Sequence, residues 1–260
     1  MRTYLRVLWQ YRELLWVWTR RDIQVRYKQS LLGSAWAILQ PLSLMIVFSF
    51  VFSFLAPVPT GKIPYPIFSY TALLPWTFFA TSISFAVPSL VNNLNLVTKV
   101  YFPREILPLA AIGASFVDFV VASVVFVGLM IYYNVHIWIT ILFFPLILLI
   151  QIVLTAGITF LASAINVFYR DIRFVVPLAV QLWMYATPII YPSTLVPAHL
   201  RWLYMLNPMA SIIESYRAVF IYGRAPDWGY LGLSAAISFT MLLVGYMYFK
   251  KVEPTFADLI

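Results

Sequence analysis

The chain contains no cysteine among its 260 residues, which excludes disulfides and cysteine-ligated metal sites. Charged residues are also scarce, at 10% of the chain, against about 25% in an ordinary soluble domain. The two histidines, His136 and His199, lie far apart, and neither has a carboxylate at ligand spacing. The sequence therefore predicts no metal site, and its composition is not that of a soluble globular protein.

Sequence motifs for enzymatic chemistry are missing as well. No G-x-x-x-x-G-K-[ST] phosphate loop occurs, so we predict that this chain does not bind ATP itself. No Ser-His-Asp arrangement is evident, and no loop holds the paired acids that glycosyl chemistry requires. The prediction is a protein that is not an enzyme and carries no cofactor. Uphill transport would then need energy from a partner subunit or from an ion gradient.

Long apolar stretches dominate what the chain does contain. Hydrophobic residues make up 63% of it, and six stretches have about the 20 residues that a helix needs to cross a bilayer. They leave no room for a sizeable soluble domain, so residues 1–260 are predicted to form one transmembrane domain. The predicted fold class is an all-α integral membrane protein with six spans: Leu32–Leu55, Ile67–Leu90, Leu107–Tyr132, Ile137–Ile165, Phe174–Ile190 and Tyr230–Phe249.

The basic residues are distributed unevenly between the two sides of these spans. Thirteen of the 17 lysines and arginines lie before the first span, after the last, or in every second connector. Cytoplasmic loops retain Lys and Arg, so we predict a multi-pass protein of the cytoplasmic (inner) membrane with both termini cytoplasmic. The net charge of +8 is attributed to anionic membrane lipids and not to nucleic acid.

Three connecting regions have distinct patterns. Residues 1–31 combine basic residues with tryptophans at helical spacing, which predicts an amphipathic helix at the cytoplasmic interface, with a disordered basic tail as the alternative. The cytoplasmic segment 91–106 predicts a short helix followed by a sharp turn at Pro103. In the exterior region 191–229, we predict two short re-entrant helices, Leu195–Leu206 and Met209–Tyr222, which form a lid.

Polar residues inside the predicted spans indicate helix contacts. Gln151, Thr155, Thr159 and Ser163 recur every four residues in the fourth span, beside Gly157. This pattern favours close helix packing, and a water-lined pathway is the alternative. Asp118 is the only carboxylate near the middle of a span, and we interpret it as hydrogen-bonded at a helix contact or beside a water cavity.

Aromatic residues make up 18% of the chain and are not confined to the ends of the spans. A ring face suits the apolar face of a sugar, so we predict a pathway lined partly by aromatic rings. In the first span only one face can line it, because the Phe48 and Phe52 pair lies opposite the Phe50 and Phe54 pair. The lipid-facing alternative stays open. The predicted pathway residues are Phe48, Phe52, Trp76 and Phe79.

Four segments in register resemble one family. They are residues 21–33 with Trp36 and 40–42, residues 99–108, Asn166 with residues 168–172, and residues 206–209 with Glu214 and Arg217. These segments resemble polysaccharide-export permeases of the ABC transporter superfamily, the O-antigen and teichoic-acid exporters. The resemblance extends from about residue 20 to residue 220 and includes six spans in the expected order.

The resemblance implies a half-transporter that forms a homodimer and binds two separate nucleotide-binding ATPase subunits, which hold ATP and Mg²⁺. It also implies a lipid-linked polysaccharide as substrate. The exterior gate would contain Asn207 and Pro208 with an ion pair between Glu214 and Arg217. The ATPase-coupling residues would be Asn95, Lys99, Val100, Tyr101, Phe102, Pro103, Arg104, Glu105, Tyr169, Arg170 and Asp171.

Three other functions remain as alternatives. An ABC exporter of lipids or drugs would have the same architecture. A membrane-embedded glycosyl or lipid transferase would need clustered acids or a metal site, and the nine carboxylates here are scattered. A flippase driven by ions would act without an ATPase partner.

Overall fold

The computed structural model describes residues 9–28, 30–61, 63–99, 102–136 and 138–256. In these ranges all regular secondary structure is helical and no strand is present, as predicted. The first eight residues of the predicted interface helix and the predicted coupling residues Val100 and Tyr101 lie outside the described residues.

Four helical stretches in the described part are long and apolar enough to cross a membrane, namely Gly33–Leu55, Ile106–Tyr132, Ile139–Phe168 and Trp228–Thr255. They correspond to the first, third, fourth and sixth predicted spans. Between and around them the chain forms shorter or less apolar helices. The helices are α1 (Arg12–Tyr27), α2 (Trp36–Phe50, continued by a π-helical turn Val51–Leu55), α3 (Tyr65–Ala86), α4 (Leu94–Lys99), α5 (Ile106–Tyr132), α6 (Phe144–Phe168), α7 (Ile172–Tyr185), α8 (Arg201–Tyr204), α9 (Pro208–Phe220) and α10 (Trp228–Val252).

Helix α3, the second predicted span, lies in the centre of the bundle. Most of its residues are buried, and it packs against α2, α5, α6, α7 and α9. Its Tyr70 hydroxyl donates to the Ala122 carbonyl at 3.0 Å, and the Gln151 amide donates to the Pro75 carbonyl at 2.7 Å. Because protein and not lipid surrounds this helix, it can carry Tyr, Trp, Ser and Thr, which lower its hydropathy.

Helix α7 is shorter than the fifth predicted span. It ends at Tyr185 after 14 residues, whereas we predicted helix through Ile190. The chain beyond it uses its carbonyls elsewhere: Ile189 accepts from Arg217 at 2.9 Å and Ile190 accepts from the Tyr65 hydroxyl at 2.8 Å. Pro188 lacks a backbone N–H and disfavours helical backbone at Thr187, and these bonds then replace the helical ladder. The prediction of a continuous helix to Ile190 is therefore wrong.

The predicted helix Leu195–Leu206 is also wrong. The region contains two 3₁₀ turns, Ser193–Leu195 and Ala198–Leu200, followed by the single turn α8. Val196 has an extended backbone with ψ 126, which the following Pro197 favours. The second predicted helix is present as α9, and the chain turns away after it at Gly223, which has a positive φ of 60.

The closest helix pair in the bundle is α6 with α10. Gly157 of α6 and Gly245 of α10 face each other, so that a Cβ on Gly157 would lie 2.5 Å from the Leu242 nitrogen. The predicted polar stripe Gln151, Thr155, Thr159 and Ser163 is fully buried on α6. Burial among helices is what the packing interpretation of this stripe requires.

Candidate functional site

The predicted coupling segment lies where α3 ends and α5 begins, and we call this end of the bundle the coupling end. Helix α4 presents Asn95 and Lys99 to the surface, as a docking role requires. The aromatic residue Phe102 does not lie at the surface. It is buried in the protein's own core, so it fixes the segment to the bundle and is not an exposed anchor for a partner.

Two acidic residues and one lysine join this segment to the end of α10. Glu105 is only 1% exposed, and its carboxylate lies 2.7 Å from the Lys250 ammonium. The same ammonium lies 2.9 Å from the carboxylate of Glu253, which directly follows the end of α10. The backbone amide of Arg104 donates to Glu253 at 3.3 Å, and its guanidinium donates to the Glu253 carbonyl. The coupling segment and the end of α10 are therefore held together.

Phe256 completes the same contact. Its ring is fully buried, 5.4 Å from the Phe249 ring and 6.4 Å from the Phe168 ring. Phe168 is the last residue of α6, directly before the second predicted coupling loop, Tyr169 to Asp171, whose residues are exposed. We call Arg104, Glu105, Lys250, Glu253 and Phe256 the coupling cluster.

Three members of the coupling cluster, Lys250, Glu253 and Phe256, are not among the site residues predicted from the sequence. The available signal was a carboxylate three residues after a lysine at the end of a span, which predicts a local pair. Nothing in the sequence joins Lys250 to Glu105, since 145 residues separate them.

The predicted break between the two exterior helices has a specific cap. The Asn207 side-chain oxygen accepts from the Met209 amide at 3.1 Å, which is an N-cap for α9, and from the Trp183 indole at 2.9 Å. Its amide nitrogen donates to the Ala186 carbonyl and the Thr187 hydroxyl. Pro208 occupies the first turn, where its missing N–H costs nothing. We call this end of the bundle the gate end.

The predicted gate residues Glu214 and Arg217 do contact each other, with 2.8 Å between the guanidinium and the carboxylate. Arg217 is fully buried and lies 3.7 Å over the ring of Phe68, whereas the Glu214 side chain is 26% exposed. Burial lowers the pKa of Arg217, and the Glu214 carboxylate offsets only part of this decrease. Since Arg217 also binds Ile189, it ties α9 to the chain that follows α7.

The predicted pathway aromatics occupy two environments. Phe48 and Phe52 pack edge to face at 6.2 Å, and their face is turned inward, while Phe50 and Phe54 on the opposite face are 60% and 76% exposed. The two rings of α3 are buried beneath α7, where the Trp183 ring lies 6.5 Å from that of Trp76 and 5.3 Å from that of Phe79.

Asp118 is paired. The Arg26 guanidinium donates to one carboxylate oxygen and the Tyr27 hydroxyl donates to the other at 2.6 Å. Both partners lie at the end of α1, so this contact fixes α1 against α5. A cavity of about 280 Å³ adjoins the pair. Asp118 was predicted at a helix contact or beside a cavity, and both descriptions apply. Its partners Arg26 and Tyr27 were not predicted.

Comparison with known proteins decides the family. Residues 13–221, more than half of the chain, match the family described as ABC-2 type transporter. The chain belongs to the ABC-2 type transporter family. It is 35% identical over 258 residues to the O-antigen export system permease protein RfbA of Myxococcus xanthus, which covers 98% of both chains. It is 32% identical over 250 residues to the RfbA of Klebsiella pneumoniae, covering 95% of each. A more distant relative, the polysialic acid transport protein KpsM of Escherichia coli, is 22% identical over 242 residues, covering 90% of this chain and 91% of KpsM.

These relatives confirm the resemblance inferred from the four sequence segments. The family match includes nearly all of α1, the predicted coupling segment and the gate end up to residue 221. As an ABC-2 permease with several apolar helices, the chain is a multi-pass membrane protein.

Proposed function

We propose that this chain is the transmembrane subunit of an ATP-driven exporter that moves a lipid-linked polysaccharide across the cytoplasmic membrane. The observation that carries this proposal is the similarity to O-antigen export permeases along nearly the full length of both chains. ATP and Mg²⁺ would be held by two copies of a separate ATPase subunit, since this sequence has no phosphate loop. Two copies of the chain would form the pathway.

The proposed topology has six membrane passes and cytoplasmic termini. In it, α3 and α7 cross the membrane together with the four long apolar stretches. Helix α3 can cross despite its polar residues because neighbouring helices cover it. Helix α7 is short, but the chain after it continues through the buried residues Ile189 and Ile190, which complete the crossing. The coupling end is then cytoplasmic and the gate end exterior, in agreement with the distribution of basic residues. Exposed apolar residues of α7, such as Phe174, Leu178 and Leu182, would face lipid or the second copy.

Transport itself provides the test of this function. The chain is purified with its ATPase subunit, placed in sealed vesicles, and given a lipid-linked polysaccharide on the ATPase side. We expect the polymer to become protected from an added glycosidase only when ATP is hydrolysed. Transport without the ATPase subunit would contradict the proposal, and equal transport of the lipid carrier without its polymer would favour a lipid exporter.

The coupling cluster supports a more specific proposal about energy transfer. A push on the segment 91–106 would reach α10 through Lys250 and Glu253, and the loop from Tyr169 to Asp171 would reach the same place through Phe168 and Phe256. Both predicted ATPase contacts would therefore act on the end of the last span. An ion pair shielded from water resists separation, because either charge left alone in the interior is costly.

Replacing Phe256 with alanine tests this transfer. The buried ring joins α6 to α10, so Phe256→Ala should lower export several-fold while ATP hydrolysis and recovery of the complex stay near normal. Thr255→Ala is the matched control, since Thr255 is exposed and, among the described residues, its hydroxyl bonds to the Val252 carbonyl alone, at 2.7 Å. A parallel loss of hydrolysis and export would indicate a purely structural role and refute the transfer.

The aromatic pathway is proposed for the inward face of α2. Phe48 and Phe52 face the bundle, and Trp76 and Phe79 would become accessible where α7 moves away from α3. Double alanine replacement of Phe48 and Phe52 should reduce export with normal insertion and dimerisation. The same replacement of Phe50 and Phe54 should leave export unchanged, and no effect from either pair would refute the lining.

A further inference from the structure

A cavity of about 570 Å³ lies at the gate end, between the outer face of α9 and the segments on either side of that helix. Helix α9 divides into two faces. Its apolar face, with Ile212, Ile213 and Tyr216, is buried in the core of the bundle. Its other face lines the cavity with Ser211, Glu214, Ser215 and Ala218, which are small or polar. The volume lies within the range of about 300–1,000 Å³ that is typical of small-molecule sites.

Some hydrogen-bond donors that line this cavity have no acceptor within the described residues. The walls include Arg201 of α8 and Arg224 of the loop after α9. Within the described residues neither guanidinium forms an ion pair, and the buried Nε of Arg201 has no hydrogen-bond partner. Ser211, only 3% exposed and part of the floor, has no side-chain hydrogen bond to any described residue.

The two acids of the cavity are already engaged. Glu214 is bound to the buried Arg217 at 2.8 Å. Asp227 caps α10, where one carboxylate oxygen accepts from the Gly229 amide at 3.0 Å and the Tyr230 amide at 3.2 Å. The positive charge of Arg201 and Arg224 is therefore left for a ligand. Arginine recognises carboxylates and phosphates with paired hydrogen bonds, which lysine does not provide.

Two tyrosines add flat apolar surface to the same cavity. Tyr222 and Tyr230 line it, and the Arg224 guanidinium lies 5.3 Å from the ring of Tyr222. A saccharide presents both kinds of complementary surface, because its hydroxyls exchange hydrogen bonds and its C–H faces contact rings. A simple inorganic anion would use the arginines but not the rings or the remaining volume.

We propose that this cavity binds an anionic saccharide unit, one bearing a carboxylate or a phosphate, at the gate end of the pathway. The proposal rests on the polysaccharide-export function proposed above and adds a site and a charge preference to it. Arg201 and Arg224 would bind the anionic group, Ser211 would bind a sugar hydroxyl, and the tyrosine rings would contact the sugar face.

Calorimetric titration of the purified complex tests the site. The probes are a sialic acid trimer, the neutral maltotriose, and inorganic phosphate alone. We expect the acidic trimer to bind at least about tenfold more tightly than maltotriose, the size of effect that a hydrogen bond to a charged group gives. Arg201→Gln and Arg224→Gln should each weaken binding of the trimer by a similar factor. The control is Arg173→Gln, an exposed arginine beside the coupling end.

Several results would overturn the proposal. If maltotriose binds as tightly as the sialic acid trimer, the site has no preference for negative charge. If inorganic phosphate binds as tightly as the trimer, the site binds anions and does not recognise a saccharide. Normal binding by both arginine variants, or no binding by the unaltered complex, would remove the site. Melting temperatures of the variants identify any that fail to fold, and Ser211→Ala then provides a third, milder test. If vesicle transport succeeds while these titrations fail, only the cavity proposal is wrong.

Discussion

Replacing Gly245 with alanine tests whether α6 and α10 act as one unit. A Cβ at this position would lie 3.1 Å from the Gly157 carbonyl carbon, and closer still to its oxygen, whereas ordinary contact begins at 3.4 Å. The obstacle is backbone, so no side chain can rotate to relieve it. The two helices must move apart, and they would lose contacts along their length.

The size of the effect follows from two opposing contributions. Overpacking a well-packed contact costs about 1–3 kcal/mol, and rigid backbone on both sides places this case near the upper value. Replacing glycine by alanine within a helix returns about 1 kcal/mol. We therefore expect Gly245→Ala to destabilise the protein by about 2 kcal/mol, which lowers the melting temperature by roughly 4–8 °C in a chain of this size.

Gly232→Ala is the matched control in the same helix. No atom lies within 4 Å of the Cβ that would be added there, so only the helix propensity changes. Its melting temperature, followed by tryptophan fluorescence of the purified protein in detergent, should equal or exceed that of the unaltered chain. If Gly245→Ala melts as high as Gly232→Ala, the close contact between α6 and α10 is refuted.

Three further predictions concern orientation and the buried charges. On the cysteine-free background, Lys62→Cys should react with an impermeant thiol reagent from outside the cell and Lys99→Cys should not; the reverse pattern would contradict the topology. Glu214→Ala should lower the free energy of unfolding by about 2 kcal/mol, less than the 3–5 kcal/mol for breaking a fully buried pair, because Glu214 is partly exposed. Glu214→Gln should lower it less, because glutamine keeps an acceptor for Arg217. If both variants melt at the same temperature as the unaltered chain, the ion pair does not stabilise the protein. Asp118→Ala should free α1 from α5 and make α1 sensitive to trypsin, and unchanged digestion would show that the pair does not hold α1 in place.

Local features of the chain were predictable because local sequence determines them. The first, third, fourth and sixth spans follow from continuous hydrophobicity, and the break at Asn207 and Pro208 follows from capping and from the missing proline N–H. The buried stripe that begins at Gln151 follows from helical spacing. Each of these inferences needs only a window of about 20 residues.

Contacts between distant segments were not predictable in the same way. Arg26 and Asp118 are 92 residues apart, and their pairing depends on how α1 lies against α5. The path of the chain after α7 likewise depends on Arg217, which donates to the Ile189 carbonyl from another part of the chain. The end of α7 itself has a local signal, because Pro188 disfavours helical backbone at Thr187.

Helices α6 and α10 form a continuous connection between the coupling end and the gate end. At one end, the ring of Phe256, which lies just after α10, contacts both Phe168 of α6 and Phe249 of α10. At the other, the Ser234 hydroxyl of α10 donates to the carbonyl of Pro208, the first residue of α9, at 3.2 Å. Continuity of packing is required for a push at one end to reach the other, but it does not establish that the push does so.

A functional measurement on Gly245→Ala separates these two statements. If the glycine contact makes α6 and α10 move together, loosening it should lower export more than ATP hydrolysis, because the ATPase contacts at the coupling end are unchanged. Gly232→Ala should keep the normal ratio of polymer exported to ATP hydrolysed. If Gly245→Ala is destabilised and yet keeps that ratio, the helix pair supports the bundle without transmitting the push, and the connection to the gate must lie elsewhere.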